Sequence, residues 1–115
     1  MSEYVVAHIT RQLPPTDQRY PRQTMETLTE LPDPTVRGSG HVSYLTGRTL
    51  ELPGFGGGNV YGHLDMAARY PSLRGAQAAA RRPGRGRVVL DIDTATEWTR
   101  VRHVARVRAK ARKVR

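Results

Sequence analysis

The chain has no cysteine and a single tryptophan in 115 residues. The first absence excludes a disulfide framework and any zinc site built on thiolates, and leaves four histidines to carry any metal. A reducing compartment is the natural expectation. Large aliphatic side chains are also scarce: Leu, Ile, Val and Phe make up 23 of the 115 residues, near the level below which a chain struggles to offset the conformational entropy lost on folding. One small core is expected, with sizeable stretches outside it and no second independent domain. No apolar run approaches the length that crosses a bilayer. The N-terminal segment, with Glu3 and only a short apolar run from Tyr4 to Ala7, does not have the layout of a signal peptide. The expectation is a soluble protein without a membrane partner, cytoplasmic or carried inside a virion or ribonucleoprotein particle.

Positive charge is what the chain has in excess, and it is unevenly placed. Residues 1 to 68 hold five Arg against seven carboxylates, a balance of −2, whereas residues 69 to 115 hold twelve Arg and two Lys against three, a balance of +11. Such asymmetry points to a polyanion, most often nucleic acid, because each neutralised phosphate releases condensed counterions. Arg outnumbers Lys seventeen to two, which favours forked phosphate contacts over point charges and also fits a GC-rich coding sequence.

Periodicity predicts an α+β fold: a small, mainly antiparallel sheet covered on one face by two helices, with long Pro/Gly loops and a basic C-terminal helix or tail. "SEYVVAHITRQL" (2–13) alternates as a strand, with Val5, Ala7 and Ile9 on one face and Val6, His8 and Thr10 on the other. Irregular loops are expected at 14–24, 32–40 and 53–62, where proline and glycine concentrate. Between the first two, "TMETLTEL" (24–31) spaces Met25, Leu28 and Leu31 like a helical turn, although an edge strand also fits. "HVSYLTGRTLEL" (41–52) suggests two short strands turning at Thr46-Gly47. Residues 63–82 favour helix, kinked or restarted at Pro71. "RVVLDID" (87–93) is the clearest strand and is expected at the centre of the sheet. Thr94 and Glu97 have capping-box spacing, so a helix should start there. The expected division is a domain over 1–97 and a basic element over 98–115, docked through Trp98 and Val101 and, from about Arg106, charged nearly all round. That distal part should be helical chiefly when phosphate neutralises it, and "ARVRAKAR" (105–112) would alternatively alternate as a strand.

The residues expected to contact nucleic acid are Arg100, Arg102, Arg106, Arg108, Lys110, Arg112, Lys113 and Arg115, joined by Arg81, Arg82, Arg85 and Arg87 around "RRPGRGR". Aromatic partners for bases are scarce there, so DNA or RNA would be held by its backbone, largely independent of sequence. Protein neighbours in a larger assembly, as for a structural subunit of a virion or ribonucleoprotein particle, are the alternative.

"HIT" (8–10) and "HVS" (41–43) each place a hydroxyl two residues after a histidine, a spacing that puts both side chains on one face of a strand. His8 and His41 could then act as base and acid about a phosphodiester, with Thr10 and Ser43 on its oxygens. The pair resembles the twin His-x-Thr/Ser motifs of the 2H phosphoesterases, and the resemblance implies RNA or cyclic-phosphate chemistry without a metal. The glycine run "GFGGGN" (54–59) lacks the Lys-Ser/Thr that a phosphate loop requires and reads as a connector. Asp91, Asp93 and Glu97 could suggest magnesium, but Asp93 and Glu97 are accounted for by the helix start. No cofactor or metal is expected, and the chain is read first as a binding protein rather than an enzyme.

Overall fold

The structure, a computed structural model, describes residues 2–14, 24–54 and 56–113. Among them, five antiparallel strands form one sheet: β1 (Tyr4–Gln12), β2 (Met25–Leu28), β3 (His41–Leu52), β4 (Gly56–Gly62) and β5 (Val88–Asp91). A 3-10 turn (Leu64–Met66) and helix α1 (Leu73–Arg81) lie between β4 and β5, and helix α2 (Ile92–Lys113) follows β5 directly. The fold is α+β, as the periodicity predicts.

β1 is the central strand. One of its edges pairs with β3, while the other is shared end to end by β5, opposite Tyr4–Ala7, and β2, opposite Ile9–Gln12. Its side chains alternate, and both alternations are apolar. Val5, Ala7 and Ile9 are fully buried with Tyr44 and with Ala95 of α2, whereas Val6 is buried with Leu45 and with Ala79 and Ala80 of α1. Since successive strand residues point to opposite faces, the helices cover opposite faces of the sheet, not one face as expected. The small-residue stripe of α1 lets it approach closely, and Ser72 caps it by accepting from the Gly75 N–H at 3.1 Å. The restart expected near Pro71 is thus set by Ser72.

Several other expectations are corrected. Residues 25–28 form a strand rather than a helical turn: the ladder continues through Leu13 N–H to the Thr24 carbonyl at 2.8 Å, and Arg11 pairs with Glu26 directly opposite. Met25 is 56% exposed, so the supposed helical face buries little. β5 lies at an edge. It reads as central because helices cover both of its faces, which leaves Val88, Val89 and Leu90 all half-buried. Residues 41–52 make one strand, in which Gly47 (φ +77°) occupies an irregularity between Leu45 and Thr49. The turn comes at Pro53-Gly54, and residues 56–62, expected as a loop, are the returning strand β4. Of the loop expected over 14–24, residues 15–23 lie outside the described residues.

α2 starts two residues before Thr94. The Asp91 carboxylate accepts from the Asp93 N–H at 2.9 Å, and the Ile92 N–H bonds to the Glu3 carbonyl at 2.9 Å. Asp91 is therefore the cap, in place of the Thr94/Glu97 box. The division expected at residue 97 falls inside α2, whose half-buried face extends to Ala105. From Arg106 to Lys113 every residue is exposed, yet the helix continues as one element. "ARVRAKAR" is helical, not a strand. No helix among the described residues is long and apolar enough to cross a membrane.

Candidate nucleic-acid interface

The segment 32–40 is an irregular loop, as expected, and it stands as a wall against α2. Asp33 accepts from both the N–H and the hydroxyl of Thr35, at 2.9 and 2.6 Å, and its carbonyl accepts from the Ser39 hydroxyl at 2.6 Å. Those bonds to the charged form, from the Thr35 side chain first and then its backbone, hold the Asp33 carboxyl below its usual range. Two side chains of α2 clamp the wall. The Trp98 indole donates to the Pro32 carbonyl at 2.7 Å, and Arg102 donates to the Ser39 hydroxyl at 3.0 Å and the Gly40 carbonyl at 3.2 Å while its guanidinium lies 4.8 Å from the Trp98 ring centre. Gly40 permits this closeness, since a Cβ there would meet the Pro32 ring at 2.8 Å.

Between wall and helix runs a groove of about 600 Å³ with Arg37, Arg106, Lys110 and Lys113 on its sides. Val36 and Val107, each about half exposed, and small α2 residues make its apolar surface. No carboxylate side chain lines it among the described residues. Of the residues expected from sequence, Arg106, Lys110 and Lys113 line this groove. Arg102 lines it too but is engaged by the clamp; burial, and then neighbouring Arg106, lower its pKa, with Asp33 opposing. Arg100 is held by both oxygens of Glu97, at 3.0 and 2.6 Å. Arg108 and Arg112 are exposed on α2 outside the groove, and Arg115 lies outside the described residues. Arg37 was not expected. As a lone arginine inside "PTVRGSG", it carries no charge-run signal.

The arginines of "RRPGRGR" do not join this groove. Arg81, Arg85 and Arg87 border a separate hollow beside α1, over the opposite face of the sheet, and exposed Arg82 ends α1. Among the described residues, Arg87 is the one of the four with hydrogen-bond partners for its side chain. Its Nε donates to the Tyr61 hydroxyl at 2.8 Å, its Nη1 to the Arg85 carbonyl at 3.0 Å, and its guanidinium lies 5.5 Å from the Tyr61 ring centre.

The two His-x-Thr/Ser motifs come together on that α1 face. His8 stands opposite Ser43, and Thr10 opposite His41, so the four form a two-by-two array with the histidines on its diagonal. Diagonal neighbours across an antiparallel pair lie roughly 7–8 Å apart. The His8 ring is tilted against Tyr61, centres 5.7 Å apart, and burial, followed by the Arg87 charge, lowers its pKa. Ser43 also reaches the His8 carbonyl, at 3.5 Å. Among the described residues no group of His, Asp or Glu could hold a metal ion: Asp91 caps α2 and Glu97 binds Arg100. Comparison with protein-family models, with curated proteins and with solved structures finds no match, so the functional reading rests on this chain's own geometry.

Proposed function

We propose that the protein binds nucleic acid through phosphates along the α2 groove, largely independent of base sequence. The observation that carries this reading is the groove itself: cationic on both walls, lined by no carboxylate, and continuous with a helical face of exposed Arg and Lys. Trp98 spends its N–H on Pro32 and is not exposed for stacking, so backbone contacts dominate over base readout. A cytoplasmic or particle-borne location is in keeping with such a partner.

The test is anisotropy binding of duplex DNA and single-stranded RNA across a salt series. A slope of log K against log salt of about −4, meaning roughly five phosphates engaged, is expected. Binding without salt sensitivity would make the groove a seat for a protein neighbour, as in a structural subunit, and overturn the proposal.

A second reading, metal-independent phosphodiester cleavage in RNA, is favoured by the diagonal placement of His8 and His41. His8, whose burial favours the neutral imidazole, would take the ribose 2′-hydroxyl proton. The 2′-oxygen attacks phosphorus, the bond from phosphorus to O5′ breaks, and His41 gives O5′ a proton, leaving a 2′,3′-cyclic phosphate and a 5′-hydroxyl. Arg87 supplies positive charge nearby. Running the binding samples on a gel tests it: cleavage lost in both His8→Ala and His41→Ala supports it, and intact RNA throughout removes it.

A further inference from the structure

A smaller cleft of about 190 Å³ lies between α2 and the β3 side of the sheet, next to the groove. We infer that it takes a terminal phosphate, the phosphomonoester end of the strand held in the groove; the inference rests on the binding reading above.

Its lining carries positive charge and hydrogen-bond donors without any carboxylate: His63, His103, Arg102 and Arg106 line it. Among the described residues no group of three or more His, Asp or Glu is placed to hold a metal ion together. An anion is the ligand such a lining selects. The cleft is well below the roughly 300–1,000 Å³ of pockets that enclose whole small molecules, so it admits one group and not a nucleoside. Tyr44, only 2% exposed, and Leu64, packed against the same core, belong to the apolar part of its lining, so the cleft backs onto the core on that side. Burial raises the Tyr44 phenol pKa, the neighbouring Thr99 hydroxyl opposing, and that side adds no negative charge. Arg102, His103 and Arg106 line both spaces, which makes the cleft a continuation of the groove. A phosphomonoester, with a second ionisation near pH 6, carries close to two negative charges at neutrality. Each internal diester carries one. The cleft thus rewards an end over an internal phosphate.

The experiment compares full-length protein binding to one single-stranded RNA sequence ending in 5′-phosphate, in 3′-phosphate or in hydroxyls only. One terminal phosphate should tighten binding about tenfold, the size of one charge-assisted contact. The His63→Ala protein, altered at a residue that lines the cleft and not the groove, should lose that preference while keeping its affinity for the hydroxyl-ended strand; His63 is exposed, so folding is spared. Trp98, the single tryptophan, lines the cleft and reports directly on its filling. If inorganic phosphate changes Trp98 emission but all three strands bind equally, the cleft holds a free anion and the strand-end assignment is overturned. Equal binding with no Trp98 response overturns the anion site altogether, while the salt-sensitive groove binding stands. Loss of salt-sensitive binding by every strand would instead overturn the groove reading, and with it the end recognition.

Discussion

At the scale of single residues, His8 and Asp91 show how much depends on what a side chain touches. His8 belongs to a strand that buries its neighbours completely, and desolvation, with Arg87 adding repulsion, depresses its pKa. The sign follows from linkage: the unfolded chain binds this proton more readily, so the stability His8 contributes is present above its ordinary value of about 6.5 and is lost as pH falls below it. The urea midpoint should therefore drop between pH 7 and pH 5, and His8→Asn should flatten that drop. Asp33 and Glu97, whose pKa values are also lowered, are carboxylates and titrate below this window. An equal drop in the variant would place the proton elsewhere. The motif containing His8 was legible in the sequence, but Tyr61 and Arg87, which set its surroundings, lie 53 and 79 positions further along and gave no local sign.

At the scale of elements, α2 combines a docked half with a free half. The capping-box pattern at Thr94 and Glu97 announces a helix correctly but misplaces its start, because β5 delivers Asp91 to the position where its carboxylate meets the Asp93 N–H. Asp91→Ala should cost about 1 kcal/mol of unfolding free energy, while Thr94→Ala should cost a few tenths at most. Urea denaturation of the two variants decides between the starts; a larger loss at Thr94 would restore the box. Lys110, Arg112 and Lys113 in the last turn complement the helix dipole, which helps the exposed half remain helical. The glycine-rich stretch misled for a different reason. Strand propensity is mostly fit to a packed surface, and 56–62 is a strand because β3 offers it a partner, not because its residues favour extension.

For the whole molecule, the relevant fact is that the chain's basic half is divided between the two sides of the sheet. The α2 groove and the Arg81–Arg87 connection sit over opposite faces, so the proposed binding mode has one strand of nucleic acid engage only the first. Deleting residues 106–115 should then abolish salt-dependent binding while leaving the unfolding midpoint nearly unchanged, since the buried contacts of α2 end before Arg106. Replacing Arg81, Arg82 and Arg85 with Gln should leave the salt slope within about one unit. A slope that fell by three would show that both patches bind together.

The sequence by itself determined the class of fold, the two-residue alternation of β1, the basic helix at the end and the charge split between the halves, because each is a local or additive property. Tertiary structure alone decided which faces the helices cover, that Arg37 joins Arg106, Lys110 and Lys113 in one groove, and that His8 and His41 share a face. Those outcomes depend on strand register and on contacts such as Trp98 to Pro32 and Arg102 to Gly40, which join residues 66 and 62 positions apart. Pairings at that separation are selected by packing and by the hydrogen bonds that buried groups must find, and no short window of sequence contains both partners.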